Sequence, residues 1–171
     1  MKRWQVIEDL VKRHDWRRGA ELGVFKGETF LYLLERCPRL HLIGVDRWEP
    51  TPAPVSKSHE TGQKDYSATP MAEYEAAVRS GAERFGSRAE IMKMGTVEAA
   101  ALVPNSSLDF VFIDACHETA AVTADIEAWR PKLRPGGWLM GHDANWPSVR
   151  RAIDALVPGW RPYANNVWAD R

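Results

Sequence analysis

Short apolar segments that end in an acidic residue alternate with amphipathic segments along this chain. The runs at 40–46 (LHLIGVD) and 108–114 (LDFVFID) are largely apolar and finish in aspartate. Continuous apolar strands are typical of parallel sheets that helices cover on both faces. Apolar residues recur every three to four positions between these runs, and parallel strands need such helical crossovers. The alternation predicts an α/β fold with a doubly wound, Rossmann-like sheet.

Hydrophobic periodicity and turn residues divide the chain into predicted elements. We predict five strands, at 19–24, 40–46, 89–94, 108–114 and 138–141. We predict helices at 3–14, 28–36, 71–85, after Thr96, at 122–133 and at 149–156. A turn at 134–137 (RPGG) and a C-terminal antiparallel pair of short strands around 160–163 and 167–170 complete the assignment.

Length, charge and cysteine content limit the class of protein. The chain has 171 residues, which suits a single domain spanning 1–171, and its 23 basic residues balance 23 acidic ones. Without a basic excess, nucleic acid and anionic membranes are not expected partners. No apolar run approaches the roughly 20 residues of a membrane span, so we expect a cytoplasmic protein. Two cysteines, Cys37 and Cys116, are expected to be free thiols.

Residues 47–70 form the longest stretch without a periodic pattern. They carry Pro50, Pro52, Pro54, Gly62 and Pro70 among polar residues. Long loops in compact domains are commonly lids or binding loops, so we expect a cover over a substrate. An insertion without a function is the alternative.

Four acidic residues fall at or just after predicted strand ends: Glu21, Asp46, Asp114 and Asp143. Ligands of doubly wound sheets bind at the carboxyl ends of the strands. The glycines at 23 and 27 allow a close backbone approach there, but their spacing is not the Gly-x-Gly-x-x-Gly dinucleotide fingerprint. This spacing disfavours a nicotinamide dinucleotide enzyme. Asp46 lies where an acid can bind both hydroxyls of a ribose, although capping a turn is the alternative role.

Several motifs together resemble one family. The strings 21–29 (ELGVFKGET), 43–46 (IGVD), 112–117 (FIDACH), 133–137 (LRPGG) and 142–143 (HD) are similar to those of class I S-adenosylmethionine-dependent methyltransferases. Within that class the chain most resembles small-molecule O-methyltransferases, including catechol and bacterial sugar and macrolide O-methyltransferases. The resemblance implies methyl transfer from S-adenosylmethionine to a hydroxyl of a small molecule.

The resemblance also assigns cofactor residues. It implies that Glu21 and the loop from Gly23 through Phe25 to Gly27 hold the methionine end. Asp46 would bind the ribose, with Arg47 and Trp48 beside it. Gly95 and Thr96 would line the adenine. Trp48 is a candidate to stack on the adenine or to line the lid, although packing in the core is the more common role of a single tryptophan.

The remaining assignments concern the chemistry. Asp114, His142 and Asp143 are candidate ligands of a divalent metal, magnesium or manganese, because carboxylates at neighbouring strand ends can share one cation. Metal-free catalysis is the alternative. His117 is the candidate general base, with Asp114 as a catalytic partner, since histidine titrates near neutral pH. Capping the next helix or packing on Trp129 is the alternative for His117.

Two broader alternatives stay open. A sensor or partner module that binds S-adenosylmethionine without transferring the methyl group would share the cofactor residues. The small size of the chain leaves only the first helix and the 47–70 loop to shape the acceptor site, so a homodimer is a candidate arrangement in which a second copy completes it.

Overall fold

A computed structural model describes residues 1–50 and 66–171 of the chain. The helices are α1 (Arg3–His14), α2 (Glu28–Arg36), α3 (Met71–Glu83), α4 (Thr96–Ala100), α5 (Thr119–Trp129) and α6 (Pro147–Leu156). The strands are β1 (Arg18–Leu22), β2 (His41–Asp46), β3 (Ala89–Lys93), β4 (Leu108–Ile113), β5 (Leu133–Gly141), β6 (Arg161–Pro162) and β7 (Trp168–Ala169). In the described part of the chain, no helix has the length and apolar character needed to cross a membrane.

The strands form one sheet in the order β3-β2-β1-β4-β5-β7-β6. The first five are parallel, while β7 pairs antiparallel with both β5 and β6. This arrangement confirms the predicted doubly wound, Rossmann-like sheet with a C-terminal antiparallel pair. The strand order reverses between β1 and β4, so a ligand is expected above the carboxyl ends of these two strands.

Helices bury both faces of the sheet. On one face α1, α2 and α3 pack with Phe30, Phe110 and Phe112 at the centre, each fully buried. On the other face α4, α5 and α6 pack around Trp129 and Trp168. Cover on both faces explains why β4 is apolar apart from Asp109, because neither of its sides meets water. The two layers hold the strand ends in fixed positions.

Most predicted boundaries agree with the structure, and two differ. The predicted helix at 122–133 ends at Trp129 and continues as a 3-10 turn, because Pro131 lacks the N–H that an α-helix needs. The predicted turn at 134–137 lies inside β5, where the pairing shifts between Leu108 opposite Leu133 and Phe110 opposite Trp138. The segment therefore bulges within a strand. At Gly137 a Cβ atom would lie 3.0 Å from the Leu108 carbonyl oxygen.

The predicted cover at 47–70 is described only at its two ends. Residues 51–65 lie outside the described part of the chain. At the far end, Tyr66 packs on the ring of Phe25 with 5.7 Å between ring centroids. Both aromatic residues line the same cavity. This contact brings one end of the segment beside the loop that follows β1.

Asp109 on β4 connects this strand to the start of β1 through hydrogen bonds. Its buried carboxylate accepts hydrogen bonds from the backbone N–H groups of Arg17 (2.5 Å) and Arg18 (2.8 Å) and forms an ion pair with Arg134. We expect Asp109→Ala to lower the free energy of unfolding by about 2–4 kcal/mol, because two partly buried backbone donors and the Arg134 guanidinium lose their acceptor. Urea denaturation measures the change, and Asp9→Ala, which removes an exposed carboxylate on α1, is the control. A loss below about 1 kcal/mol would contradict this role.

Candidate active site

A cavity of about 650 Å³ lies at the carboxyl edge of the sheet, above the ends of β1, β2, β4 and β5. Most of the residues predicted for the site line it: Gly23, Phe25, Asp46, Arg47, Gly95, Thr96, Asp114, His117, His142 and Asp143. Its volume is that of a small-molecule site. The fold thus gathers residues that are up to 120 positions apart around one space, at the reversal of strand order.

The backbone at Gly23 forms part of the cavity wall and leaves no room for a side chain. Its φ of +90° is in the left-handed region, and a Cβ atom there would lie 2.2 Å from the carbonyl oxygen of Asp114. The Gly23 N–H donates to the Val45 carbonyl, and the Asp114 N–H donates to that of Leu22. The end of β1 is therefore packed directly against the end of β4. This close approach explains why the position holds glycine.

The Asp46 carboxylate fixes two loops. Oδ2 accepts from the Phe25 N–H and Oδ1 accepts from the Trp48 N–H, each at 2.8 Å. Phe25 and Trp48 both have positive φ angles, 51° and 46°, and such strain persists only where neighbours impose it. Asp46 thus caps a turn and also lines the cavity. Because each carboxylate oxygen has a second lone pair, it can also accept hydrogen bonds from a ligand.

Trp48 does not stack in the cavity. Its side chain is only 3% exposed, packs in the core on the α1–α3 side and donates from Nε1 to the Phe25 carbonyl at 2.8 Å. Of the roles considered for Trp48, the structure therefore shows packing in the core and not stacking in the cavity. The positive φ at Trp48 turns the chain so that Arg47 lines the cavity while the indole points inward.

Glu21 and Gly27 are not among the residues that line the cavity. Glu21 is 2% exposed, and its Oε2 has no hydrogen-bond partner among the residues that the structure describes. Burial, followed by the nearby Asp114 carboxylate, raises the pKa of Glu21 well above its ordinary value. Gly27 caps the start of α2 with a φ of +78°. A buried acceptor without a donor is costly, so Glu21 Oε2 lacks a hydrogen-bond donor that its burial would favour.

Two carboxylates and two imidazoles meet where β4 and β5 end. His117 Nε2 lies 3.1 Å from Asp143 Oδ2 and 3.9 Å from Asp114 Oδ1. His142 Nδ1 lies 3.1 Å from Asp143 Oδ1 and 3.7 Å from Asp114 Oδ1, while its Nε2 is 2.8 Å from the Asn165 carbonyl oxygen. The loop that carries Asp143 is held in a left-handed turn with a φ of 58°. We name Asp114, His117, His142 and Asp143 the acid–imidazole cluster.

The predicted metal ligands and the predicted base fall in this one cluster. One ligand atom from each of Asp114, His117 and Asp143 lies within 4.8 Å of the others. His117 therefore has the geometry of a metal ligand, a role that the sequence analysis gave to His142. Both imidazoles approach the same two carboxylates. A mixed carboxylate and imidazole set suits manganese, iron or zinc better than magnesium.

The charges in the cluster depend on one another. Burial lowers the pKa of His117, but the carboxylates of Asp114 and Asp143 more than offset it and raise the value to about 9. The same carboxylates raise the pKa of His142 against burial. The two imidazoles hold the pKa of Asp143 well below its usual range, although burial opposes them. The arrangement therefore favours positive charge between two carboxylates, supplied either by protonated histidine or by a cation.

Cys116 lines the cavity next to His117, but burial raises the pKa of its thiol. The expected free thiol is present, and because a neutral thiol is a poor nucleophile, Cys116 has no reactive role here.

Two polar residues of the cavity were missed by the sequence analysis. Asp125 on α5 is 2% exposed and accepts a 2.5 Å hydrogen bond from the Thr96 hydroxyl, and burial raises its pKa to about 6. Asp125 lies within the apolar stripe of Val122, Ile126 and Trp129, and this position in the sequence could have indicated that its carboxyl group is buried. Arg3 on α1 lies 3.1 Å from Asp114 Oδ2, across more than 100 residues, and no local pattern indicates that contact.

Comparisons with known proteins agree with this fold. The family model described as a methyltransferase domain matches residues 20–144. CalS11, a calicheamicin methyltransferase, is similar in structure with a TM-score of 0.73 and 16% identity over 96% of this chain and 76% of that one. A methyltransferase of Podospora anserina, solved with S-adenosylhomocysteine bound, has a TM-score of 0.65 and 12% identity over 97% of this chain and 76% of that one. A candidate caffeoyl-CoA O-methyltransferase of Staphylococcus aureus has a TM-score of 0.68 and 14% identity over 97% and 80%. No curated protein sequence matches the chain.

Proposed function

Because the chain belongs to the methyltransferase domain family, we propose that it transfers a methyl group from S-adenosylmethionine to a hydroxyl of a small molecule. The observation that carries the proposal is the meeting of Gly23, Asp46 and the acid–imidazole cluster around one cavity at the reversal of strand order. The O-methyltransferases among the structurally similar proteins support the choice of oxygen as the acceptor.

S-adenosylmethionine supplies the methyl group as an electrophilic sulfonium. Asp46 would accept hydrogen bonds from the ribose hydroxyls with the free lone pairs of a carboxylate that is already held in place. The buried Glu21 would receive the ammonium group of the methionine part. Gly95 and Thr96, which line the cavity next to Asp125, would border the adenine. These contacts orient donor and acceptor in line, which is the main source of rate in such a transfer.

The acceptor hydroxyl must lose its proton as the new carbon–oxygen bond forms, and His117 would accept it. His117 can do so only when it is neutral, which the two adjacent carboxylates oppose. With His117 as the base, Asp114, His142 and Asp143 are the residues that could hold a divalent cation, manganese in particular. When bound, such a cation would supply electrostatic stabilisation of the developing alkoxide. Positive charge between the carboxylates would also lower the tendency of a neighbouring imidazole to stay protonated.

Calorimetric titration with S-adenosylhomocysteine tests the cofactor site. We expect the wild-type protein to bind it and Asp46→Asn to bind about 10- to 100-fold more weakly, because one charged acceptor of the ribose hydroxyls is lost. Asp15→Asn, an exposed carboxylate near the opposite edge of the sheet, is the matched control and should bind like the wild type. Absence of any binding by the wild-type protein would refute the proposed function.

The proposed acceptor chemistry is tested by incubation with S-adenosylmethionine and a panel of phenols, catechols and sugar nucleotides, each with and without manganese. Methylation at oxygen supports the enzyme. Tight cofactor binding with no methylation of any hydroxyl compound would instead favour the sensor or partner module.

A further inference from the structure

The turn between β6 and β7 contacts the imidazole of His142. Asn165 and Asn166 have φ angles of 57° and 56°, and the Val167 N–H donates to the Ala164 carbonyl at 3.4 Å. Two consecutive left-handed residues closed in this way are typical of a type I′ turn, in which asparagine is favoured. The turn places the Asn165 carbonyl oxygen 2.8 Å from His142 Nε2.

The same hairpin also holds the backbone around His142. Trp168 Nε1 donates to the His142 carbonyl at 3.1 Å, and the Ala144 N–H donates to the Asn166 carbonyl at 3.2 Å. Trp168 is fully buried, and its strand pairs with the end of β5. The fold therefore sets the position of the Asn165 carbonyl relative to the imidazole. The hairpin lies outside the part of the chain that the family model matches.

The contact with Asn165 determines which nitrogen of His142 carries a proton. A backbone carbonyl can only accept a hydrogen bond, so Nε2 must be the donor. A neutral imidazole with its proton on Nε2 has a free lone pair on Nδ1. Nδ1 lies 3.1 Å from Asp143 Oδ1 and 3.7 Å from Asp114 Oδ1. A positive charge on or beside Nδ1, either a proton or a cation, is what these two carboxylates favour.

We propose that Asn165 is a positioning residue whose carbonyl orients His142 as a cation ligand through Nδ1, so that the C-terminal hairpin adds an imidazole to the two carboxylates of the cluster. Histidines that bind metals commonly donate their second ring N–H to a carbonyl or a carboxylate, which fixes the tautomer and the ring orientation. An imidazole ligand favours a transition metal such as zinc over magnesium. The inference rests on the proposed function, since it requires a cation at the acid–imidazole cluster. The competing explanation is that His117 is the imidazole ligand and His142 only contacts the hairpin.

Nuclear magnetic resonance of the protein with isotope-labelled histidine, saturated with zinc, tests the assignment of the ligand atom. Zinc has a filled d shell, so it leaves the resonances of the neighbouring imidazoles visible. We expect His142 to carry a proton on Nε2 and zinc on Nδ1, and loss of its resonances in His142→Gln assigns them. Zinc bound through Nε2 of His142, or zinc bound to His117 without a change at His142, would overturn the inference.

Variants of the turn test the role of Asn165. Asn165→Val disfavours the left-handed backbone that directs the carbonyl, so we expect calorimetric titration to show zinc binding weakened by about 10- to 100-fold. Asn165→Gly permits the same backbone conformation and should bind zinc within about 3-fold of the wild type. Ser106→Val is the matched control, because it places the same strain at a φ of 55° in an exposed turn before β4, at the opposite edge of the sheet from the cavity. This control should bind zinc like the wild type.

A double-mutant cycle separates positioning of the imidazole from a general loss of structure. In a His142→Ala background, Asn165→Val should change the zinc affinity by less than about 3-fold, because the imidazole that the carbonyl orients is absent. Zinc binding too weak to measure in His142→Ala would itself identify His142 as a ligand. Equal weakening by Asn165→Val with and without His142, or unchanged zinc affinity in Asn165→Val, would overturn the inference.

The remaining outcomes distinguish this inference from the proposed function. If Asn165→Val folds poorly, the resonances of zinc-saturated wild-type protein still decide which atom of which histidine is the ligand. A wild-type protein that binds S-adenosylhomocysteine but no zinc would overturn the inference and leave methyl transfer without a metal. A wild-type protein that binds neither would refute the proposed function as well.

Discussion

Alanine at position 23 is expected to reduce the affinity for S-adenosylhomocysteine by at least about 100-fold while the sheet stays folded. The added Cβ would lie 2.2 Å from the Asp114 carbonyl oxygen and 2.7 Å from the Ala115 Cα, both of which are backbone atoms. Backbone cannot move aside as a flexible side chain can, so the ends of β1 and β4 must separate. A shift of about 1 Å at a site that depends on positioning is enough to cost about two orders of magnitude. Calorimetric titration measures the affinity.

A matched control separates this contact from backbone strain. Gly159 has a φ of +78°, similar to the +90° of Gly23, but a Cβ there meets nothing within 4 Å. Gly159→Ala carries the strain of a left-handed alanine, about 1–2 kcal/mol of stability, without a clash near the cavity. It should bind S-adenosylhomocysteine like the wild type. Wild-type affinity in Gly23→Ala would show that the loop after β1 does not contact the cofactor.

The sequence was sufficient for the fold because the decisive signals are local. The apolar runs at β2 and β4 and the stripes of α1 and α2 each define an element without knowledge of its neighbours, and the parallel crossovers then limit the topology. Where the signal was local but ambiguous, the prediction went wrong. Residues 134–137 have the composition of a turn, yet they bulge within β5 because Gly137 lies close to the β4 backbone.

The site was predictable as far as it depends on strand ends. Asp46, Asp114 and Asp143 follow from the rule that parallel strands present their carboxyl ends at one edge. Contacts between residues of different elements could not be predicted from the sequence. Trp48 points into the core because Asp46 holds its N–H in a left-handed turn, and Arg3 reaches Asp114 from another helix. Each of these two contacts depends on tertiary packing, and no periodic pattern in the sequence indicates it.

The roles of the residues in the acid–imidazole cluster also depend on contacts between elements, which the sequence does not show. The sequence separated a base, His117, from a metal site at Asp114, His142 and Asp143. In the structure, His117 Nε2 lies 3.1 Å from Asp143 Oδ2, so His117 could itself be a metal ligand. One imidazole cannot bind a cation through Nε2 and accept a proton there at the same time. The two roles therefore predict different consequences of the same substitution.

We expect His117→Gln to lower the rate of methyl transfer by about 10²- to 10⁴-fold while the affinity for S-adenosylhomocysteine changes by less than about 3-fold. Glutamine keeps a polar side chain of similar length but cannot accept a proton at neutral pH. Single-turnover kinetics at saturating cofactor measure the rate. His41→Gln, an exposed histidine at the amino end of β2, is the control and should transfer at the wild-type rate. A wild-type rate in His117→Gln would exclude His117 as the base.

The pH dependence and the metal affinity then assign the role of His117. Since the carboxylates raise its pKa to about 9, the neutral form that can accept a proton becomes more abundant as the pH rises. Without added metal, a base at this position predicts a rate that increases from pH 7 towards pH 9 in the wild type and no such increase in His117→Gln. A metal ligand at this position predicts instead that manganese binding weakens in His117→Gln about as much as in Asp143→Asn. Unchanged manganese affinity in His117→Gln together with a lost pH dependence would identify His117 as the base and leave His142, whose Nδ1 faces the same carboxylates, as the imidazole ligand.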